Sequence, residues 1–200
     1  MSLFIPSYFG PISEYSEIVK SEAVVFEMED NFQKQSYRNR CYIYNSNGKQ
    51  LLNIPVKDKN KGNSQRKKTK DLLVDNEAHW QEHHLKSLQT AYRTSPFYEF
   101  YEDDLLSIFT KKYTFLQDVN IDTFLFISDA LQIPQQYSKT EEYIVKTNKN
   151  DFRGLADVKN KPNKLVDNYI QMFDDKHGFI ANLSILDLLF MEGPNTISFL

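Results

Sequence analysis

The sequence predicts an α/β domain: a small mixed sheet opened by a βαβ unit and a β-hairpin, and covered by several helices. Three observations predict it. Two short apolar runs, Leu3–Ile5 and Ala23–Phe26, flank a segment of helical period. Two β-rich runs meet at Asn47-Gly48. From residue 77 onward, long stretches repeat apolar side chains every three to four positions.

Leu3–Ile5 is closed by Pro6, as a buried strand closes when it enters a loop. Ile12, Tyr15, Ile18 and Val19 then recur at helical spacing, with Ser7 or Ser13 as candidate N-cap and Pro11 near the first turn. Strand, helix and strand follow within thirty residues, which predicts parallel strands joined by a right-handed crossover. The hairpin is expected with arms at Cys41–Asn45 and Gln50–Val56, extending that sheet. Asp71–Val74 reads as one more strand.

Helices are expected over Glu77–Arg93, Phe97–Lys111 and Tyr113–Leu131. In the first of these Trp80, His84, Leu88 and Ala91 form the buried stripe, and Ser95-Pro96 ends it. Glu142–Lys146 is expected as a late strand and 147–165 as irregular surface. Leu183–Phe190 is apolar on every side, which places it in the core.

At 200 residues and 40% hydrophobic, the chain can bury one sizeable core, so 1–200 is expected as a single domain. Within it, residues 57–70 carry seven basic side chains and one acid and read as a mobile basic loop. A net charge of −3 argues against broad affinity for nucleic acid or anionic membrane. No window is long and apolar enough for a membrane span, and the single cysteine, Cys41, suits the cytoplasm, where it reads as a small buried hydrophobe. Nothing in the sequence sets the oligomeric state.

Arg38, Asn39 and Arg40 form the first constellation with chemistry. If a strand has already begun there, Arg38 and Arg40 share one face, and two guanidinium groups on one face clamp a phosphate or carboxylate. Pairing with surface acids such as Glu29 and Asp30 is the plainer alternative. His84, on the Trp80 stripe, is either a hydrogen-bonded core histidine or a general base. Asp187, three residues after Ser184, either completes a capping box or is a buried acid that needs a dedicated partner. His79 and His83 stand four apart but lack the HExxH order, and the acids of Glu99–Asp104 suit a helix start, so neither a metal nor another cofactor is expected. GxxxxGK[ST], GxGxxG and GxSxG are all absent.

Taken in order, KQSYRNRCYI, NGKQLLNIPV, HWQEHHLKSLQTAYRTSPFYEFYEDD and HGFIANLSILDLLF resemble the WbqC-like protein family in its Bacteroidetes form. Members open with a strand and a His-Gln-Pro-Asn-Tyr-type loop. This chain has Phe4-Ile5-Pro6-Ser7-Tyr8 there, so Tyr8 carries over and the family histidine does not. The resemblance implies a setting in surface-polysaccharide biosynthesis, with His84 and Asp187 as catalytic candidates and Tyr8, Arg38, Asn39, Arg40 and Tyr92 as substrate-binding ones. The function it implies is a transferase acting on a sugar or nucleotide-linked sugar. The alternative is a non-catalytic binding or scaffold protein of the same pathway. The partner expected is a small anionic ligand, a phosphorylated sugar or an amino acid, lying at the carboxyl ends of the parallel strands near Pro6–Gly10 and Glu27–Arg40.

Overall fold

The computed structural model describes all residues except 58–66, 135, 148–149 and 161–166. The elements in chain order are β1 (Ser2–Phe4), α1 (Ile12–Val19), β2 (Val24–Phe26), β3 (Arg40–Asn45), β4 (Gly48–Asn53), β5 (Val56–Lys57), β6 (Leu73–Val74), α2 (Trp80–Tyr92), α3 (Tyr98–Thr110), α4 (Leu116–Ala130), β7 (Tyr137–Lys139), β8 (Asn150–Asp151), α5 (Asp174–His177) and α6 (Ile185–Glu192). The basic loop expected at 57–70 falls largely on 58–66, outside the described residues. Its ends are described: Lys57 lies in β5, and Lys68 and Lys70 both pair with Glu29.

The α/β class and the parallel βαβ unit are both present. β1 and β2 pair in parallel, Ser2 opposite Val24 through Phe4 opposite Phe26, and both are buried throughout. Strands buried along their whole length need cover on both faces, which is what a parallel sheet receives from its crossovers. The sheet runs in the order β7-β2-β1-β8. Its edges are short and polar, Tyr137–Lys139 and Asn150–Asp151, and no apolar alternation marks them in the sequence.

Glu142–Lys146 is not a strand, which corrects the expectation. Side chains have taken its peptide groups: Ile144 N–H donates to Glu27, and its carbonyl accepts from Arg153. The hairpin also differs in one respect. β3 and β4 form a two-stranded sheet of their own, separate from the parallel one, with Asn45 opposite Gly48. Gly48 takes a φ of 98°, the left-handed position that a type I turn with a glycine bulge requires. The Trp80, His84, Leu88 and Ala91 stripe of α2 is buried as its spacing predicts.

Residues 6–11, which follow β1, are buried throughout, although loops belong to the surface because their peptide groups need partners. Here the partners come from distant segments. Asn120 of α4 donates to the carbonyls of Pro6 and Arg38, and Thr123, whose hydroxyl donates to the Asn120 carbonyl, accepts Phe9 N–H. Tyr8 N–H reaches the Tyr37 carbonyl. From the far end of the chain, Ser184 donates to the Phe9 carbonyl and Ile185 N–H to that of Gly10.

The same closure caps α1. Neither Ser7 nor Ser13 does so: Pro11 is the N-cap residue, and Ser13 N–H is accepted by Asn182 Oδ1 at 2.9 Å while Ile12 N–H is accepted by the Leu183 carbonyl. α6 itself starts at Ser184, whose hydroxyl accepts Leu186 N–H, and its residues Ile185–Phe190 are all buried. Asp187 therefore makes no capping box. It ends at Gly193, with φ 53°, where an added Cβ would stand 2.4 Å from the Phe97 ring. Phe97 in turn donates its N–H to the Phe190 carbonyl.

Gly193→Ala adds both backbone strain and a ring clash, so it is expected to lower stability by about 2–3 kcal/mol. Urea unfolding of the purified variant measures this; Gly193→Ala combined with Phe97→Ala should recover part of the loss that comes from the clash.

Candidate functional site

A cleft of about 870 Å³ opens where β1 and β8 end and the chain leaves β2. Ile5 follows β1, Asp151 closes β8, and Asp30 and Phe32 lie on the segment after β2. Tyr143, Arg153 and Asp157 also line it, with Arg38, Asn31 and Asn160. This is the sheet end at which open α/β folds hold their ligands, because the strands stop and their connections diverge.

Glu27, fully buried at the end of β2, organises one wall. Its Oε1 accepts the Thr140 hydroxyl at 2.7 Å and Glu29 N–H at 3.0 Å, and its Oε2 accepts Ile144 N–H at 2.9 Å. Arg153 stands 3.5 Å from the same carboxylate and packs against the Tyr143 ring. Its Nε and Nη2 donate to the two oxygens of Asp151 at 2.9 and 2.7 Å, which holds the Asp151 carboxyl below the usual range.

On the opposite side Arg38 is 4% exposed and donates Nε and Nη2 to a single oxygen, Asp30 Oδ2, at 2.7 and 2.6 Å. Asp30 Oδ1 is buried without a hydrogen bond, and a Thr69 hydroxyl near the carboxyl favours its charged form. Burial raises the Asp30 carboxyl, and Arg38 pulls it down by less. Behind Arg38, Glu14 of α1 is also 4% exposed, and its Oε2 has no partner. Burial pushes the Glu14 carboxyl up to about 8, against the opposing pull of Ser7 and of the Arg38 charge.

Of the seven residues singled out in the sequence, Arg38 lines this cleft. β3 begins only at Arg40, so strand alternation does not relate Arg38 to Arg40. Arg40 is half-buried with its Nε unpartnered, and the cleft lining does not include it. Asn39 is buried as a staple, its amide donating to Asn53 Oδ1 and to the Ile54 carbonyl.

Tyr8 and His84 meet in the core, Tyr8 Oη 2.9 Å from His84 Nδ1, against the rings of Trp80 and Phe9. The Asn53 backbone favours the protonated ring, but burial outweighs it, and the tautomer of the neutral ring sets the direction of the Tyr8 bond. Burial lowers the His84 pKa to about 4. The Tyr92 hydroxyl accepts Tyr44 N–H and donates to Asp187 Oδ1 at 2.6 Å. Tyr169 and Gln171 donate to Asp187 Oδ2 at 2.6 and 3.0 Å. Burial raises the Asp187 carboxyl, and these three donors oppose that. The dedicated partners of this buried acid are thus two phenols and an amide, neither Arg nor His.

Sequence reasoning treated Asp30 only as a surface acid and passed over Glu14, Asp151, Arg153 and Asp157. Glu14 lies off the apolar stripe of α1, where only tertiary packing could bury it. Asp151 and Arg153 lie two apart in a weakly patterned segment, and that spacing was the one local signal available.

Chemically, the cleft offers carboxylate and amide groups that pair with hydroxyls, two rings at Phe32 and Tyr143, and two guanidinium groups that already hold carboxylates. Among the described residues no group of three His, Cys, Asp or Glu side chains is placed to hold a metal ion. No helix of the described residues is long and apolar enough to cross a membrane. The profile of the WbqC-like protein family matches residues 6–164, which includes every lining residue of the cleft except Ile5. No curated protein and no solved structure matches the chain.

The His84 ring sets a pH dependence of stability. Its folded pKa lies below that of an unfolded histidine, about 6.5, so the unfolded chain binds the proton first. The contribution is complete above pH 6.5 and is lost as pH falls toward 4. Urea unfolding between pH 7 and 4.5 should show a shallower acid decline in His84→Gln than in the wild type.

Proposed function

The chain belongs to the WbqC-like protein family, and from that premise and the cleft we propose that it is a transferase acting on a sugar, free or nucleotide-linked, in surface-polysaccharide biosynthesis. The observation that carries this reading is a large open cleft at the carboxyl ends of parallel strands, lined by the groups that sugar rings require. Hydroxyls pair with Asp157, Asn31 and Asn160, and the apolar face of a pyranose stacks on Tyr143 or Phe32.

An anionic group on the ligand engages Arg38 by sharing it with Asp30, since the guanidinium has donors beyond the two that Asp30 Oδ2 accepts. Transfer to a hydroxyl or amine needs a proton acceptor. Asp157 fits that role: it lines the cleft, and among the described residues no arginine pairs with it. In this reading Tyr8, His84, Asn39, Tyr92 and Asp187 support the fold around the site.

One observation favours a second reading, a binding or scaffold protein without turnover: both arginines of the cleft are already paired with carboxylates. The two readings part at product formation.

Calorimetry with a panel of nucleoside diphosphate sugars tests the site. Tyr143→Ala, at a half-exposed position that leaves the core intact, is expected to weaken the best binder about tenfold, or ~1.4 kcal/mol. Unchanged affinity in the folded variant overturns the cleft as the sugar site. Asp157→Asn should keep binding and abolish release of nucleoside diphosphate; binding with no release by the wild type under any acceptor supports the scaffold.

A further inference from the structure

Behind the cleft, the buried Arg38 guanidinium pairs with Asp30, and a second buried carboxyl, Glu14, lies within reach of its charge. Arg38 places both Nε and Nη2 on Asp30 Oδ2, while Asp30 Oδ1 and Glu14 Oε2 are each buried without a hydrogen bond. The charge of Arg38 also acts on Glu14. A Cβ added at Gly10 would stand 2.9 Å from Glu14 Oε2, so the carboxyl is held tightly beneath the loop that follows β1.

One cation cannot neutralise two carboxylates, and a buried charge without compensation is strongly unfavourable. One of the two acids therefore keeps a proton. Asp30 holds the hydrogen bonds of Arg38, which leaves the proton on Glu14.

The other groups that face Glu14 do not relieve it. Ser7, from the loop, offers a hydroxyl, and Tyr15 on α1 and Tyr37 before β3 are phenols kept neutral by burial. The 3₁₀ turn at Arg153–Ala156 packs on α1, but Arg153 is committed to Asp151 and the Ile144 carbonyl. α6 also packs on α1, and its Asp187 is committed to Tyr92, Tyr169 and Gln171.

We propose that Glu14 is a positioning residue for the cleft: with its proton it leaves Arg38 on Asp30, and without it the carboxylate draws the guanidinium back, weakening the cleft for an anionic group. The proton goes to solvent buffer. The functional consequence rests on the cleft being the ligand site, whereas the coupling within Glu14, Arg38 and Asp30 does not.

Two arms separate these. In the first, the Arg38 Nε and Cζ resonances of the isotope-labelled full chain, assigned with Arg38→Lys, are followed from pH 6 to 9 without ligand. They should titrate with a midpoint near the Glu14 value of about 8, whereas Arg153 should not follow that midpoint. The titration should vanish in Glu14→Gln. Glu14→Asp, which keeps the acid but withdraws it by one methylene, should shift the midpoint and retain the titration, and it serves if the Gln variant does not fold.

An Arg38 signal that does not change over this range, or changes identically in Glu14→Gln, overturns the proposal. In the second arm, affinity for a nucleoside diphosphate sugar, whose phosphates do not titrate in this range, should fall about tenfold between pH 7 and 9 in the wild type and stay level in Glu14→Gln. A pH-independent affinity overturns the link to ligand. Absence of any binding alongside an intact Arg38 titration keeps the coupling and overturns the cleft as a nucleotide-sugar site.

Discussion

A buried loop cannot leave its peptide groups unpaired, and the arrangement of this protein follows from how residues 6–13 meet that demand. Water is excluded from the segment, so each amide and carbonyl must be bonded by protein or cost the free energy of desolvation. Asn120 and Thr123 reach in from α4, Tyr37 from the turn before β3, and Asn182, Leu183 and Ser184 from the approach to α6. Two of these three groups arrive from more than a hundred positions away. The N-terminal βαβ unit is thereby completed only when the C-terminal segment docks, and the start of α1 is formed by that docking.

The polar interior follows the same rule. Tyr8 with His84, and Asp187 with Tyr92, Tyr169 and Gln171, are closed sets in which each donor meets an acceptor. They tie α2, the hairpin and α6 together, and none of them lines the cleft. The Glu14, Arg38 and Asp30 group is different. It leaves two carboxylate oxygens without hydrogen bonds at or behind the cleft, and its charges balance only if a proton is retained. Perturbed acids with unmet hydrogen-bonding capacity gather where ligands and protons are handled, since tight internal pairing elsewhere would have removed them.

Much of the fold was legible because apolar periodicity is local. The α2 stripe, the core helix at Leu183–Phe190, the hairpin around Gly48 and the parallel pairing of β1 with β2 each follow from short-range pattern. β7 and β8 were illegible: they are two or three polar residues long and become strands only because β2 and β1 present free edges to them. Glu142–Lys146 carried the better strand pattern, yet Glu27 and Arg153 captured its peptide groups. The site was legible at Arg38 and at the sheet end where a ligand belongs. It was hidden elsewhere because acids such as Glu14 and Asp30 look like surface residues until packing covers them.

By itself, the sequence determined the α/β class, the family, the order of the main elements and which stripes are buried, because these depend on side-chain type at short spacing. Tertiary structure alone decided which polar groups face a cavity and which face one another. His84, Asp187, Tyr8 and Tyr92 went inward as partners in pairs, while Asp151, Arg153, Asp157 and Tyr143 came to line one cleft with Arg38. The reason is physical: the state of a charged or hydrogen-bonding group is set by the dielectric and the partners around it, and both are assembled from segments far apart in the chain.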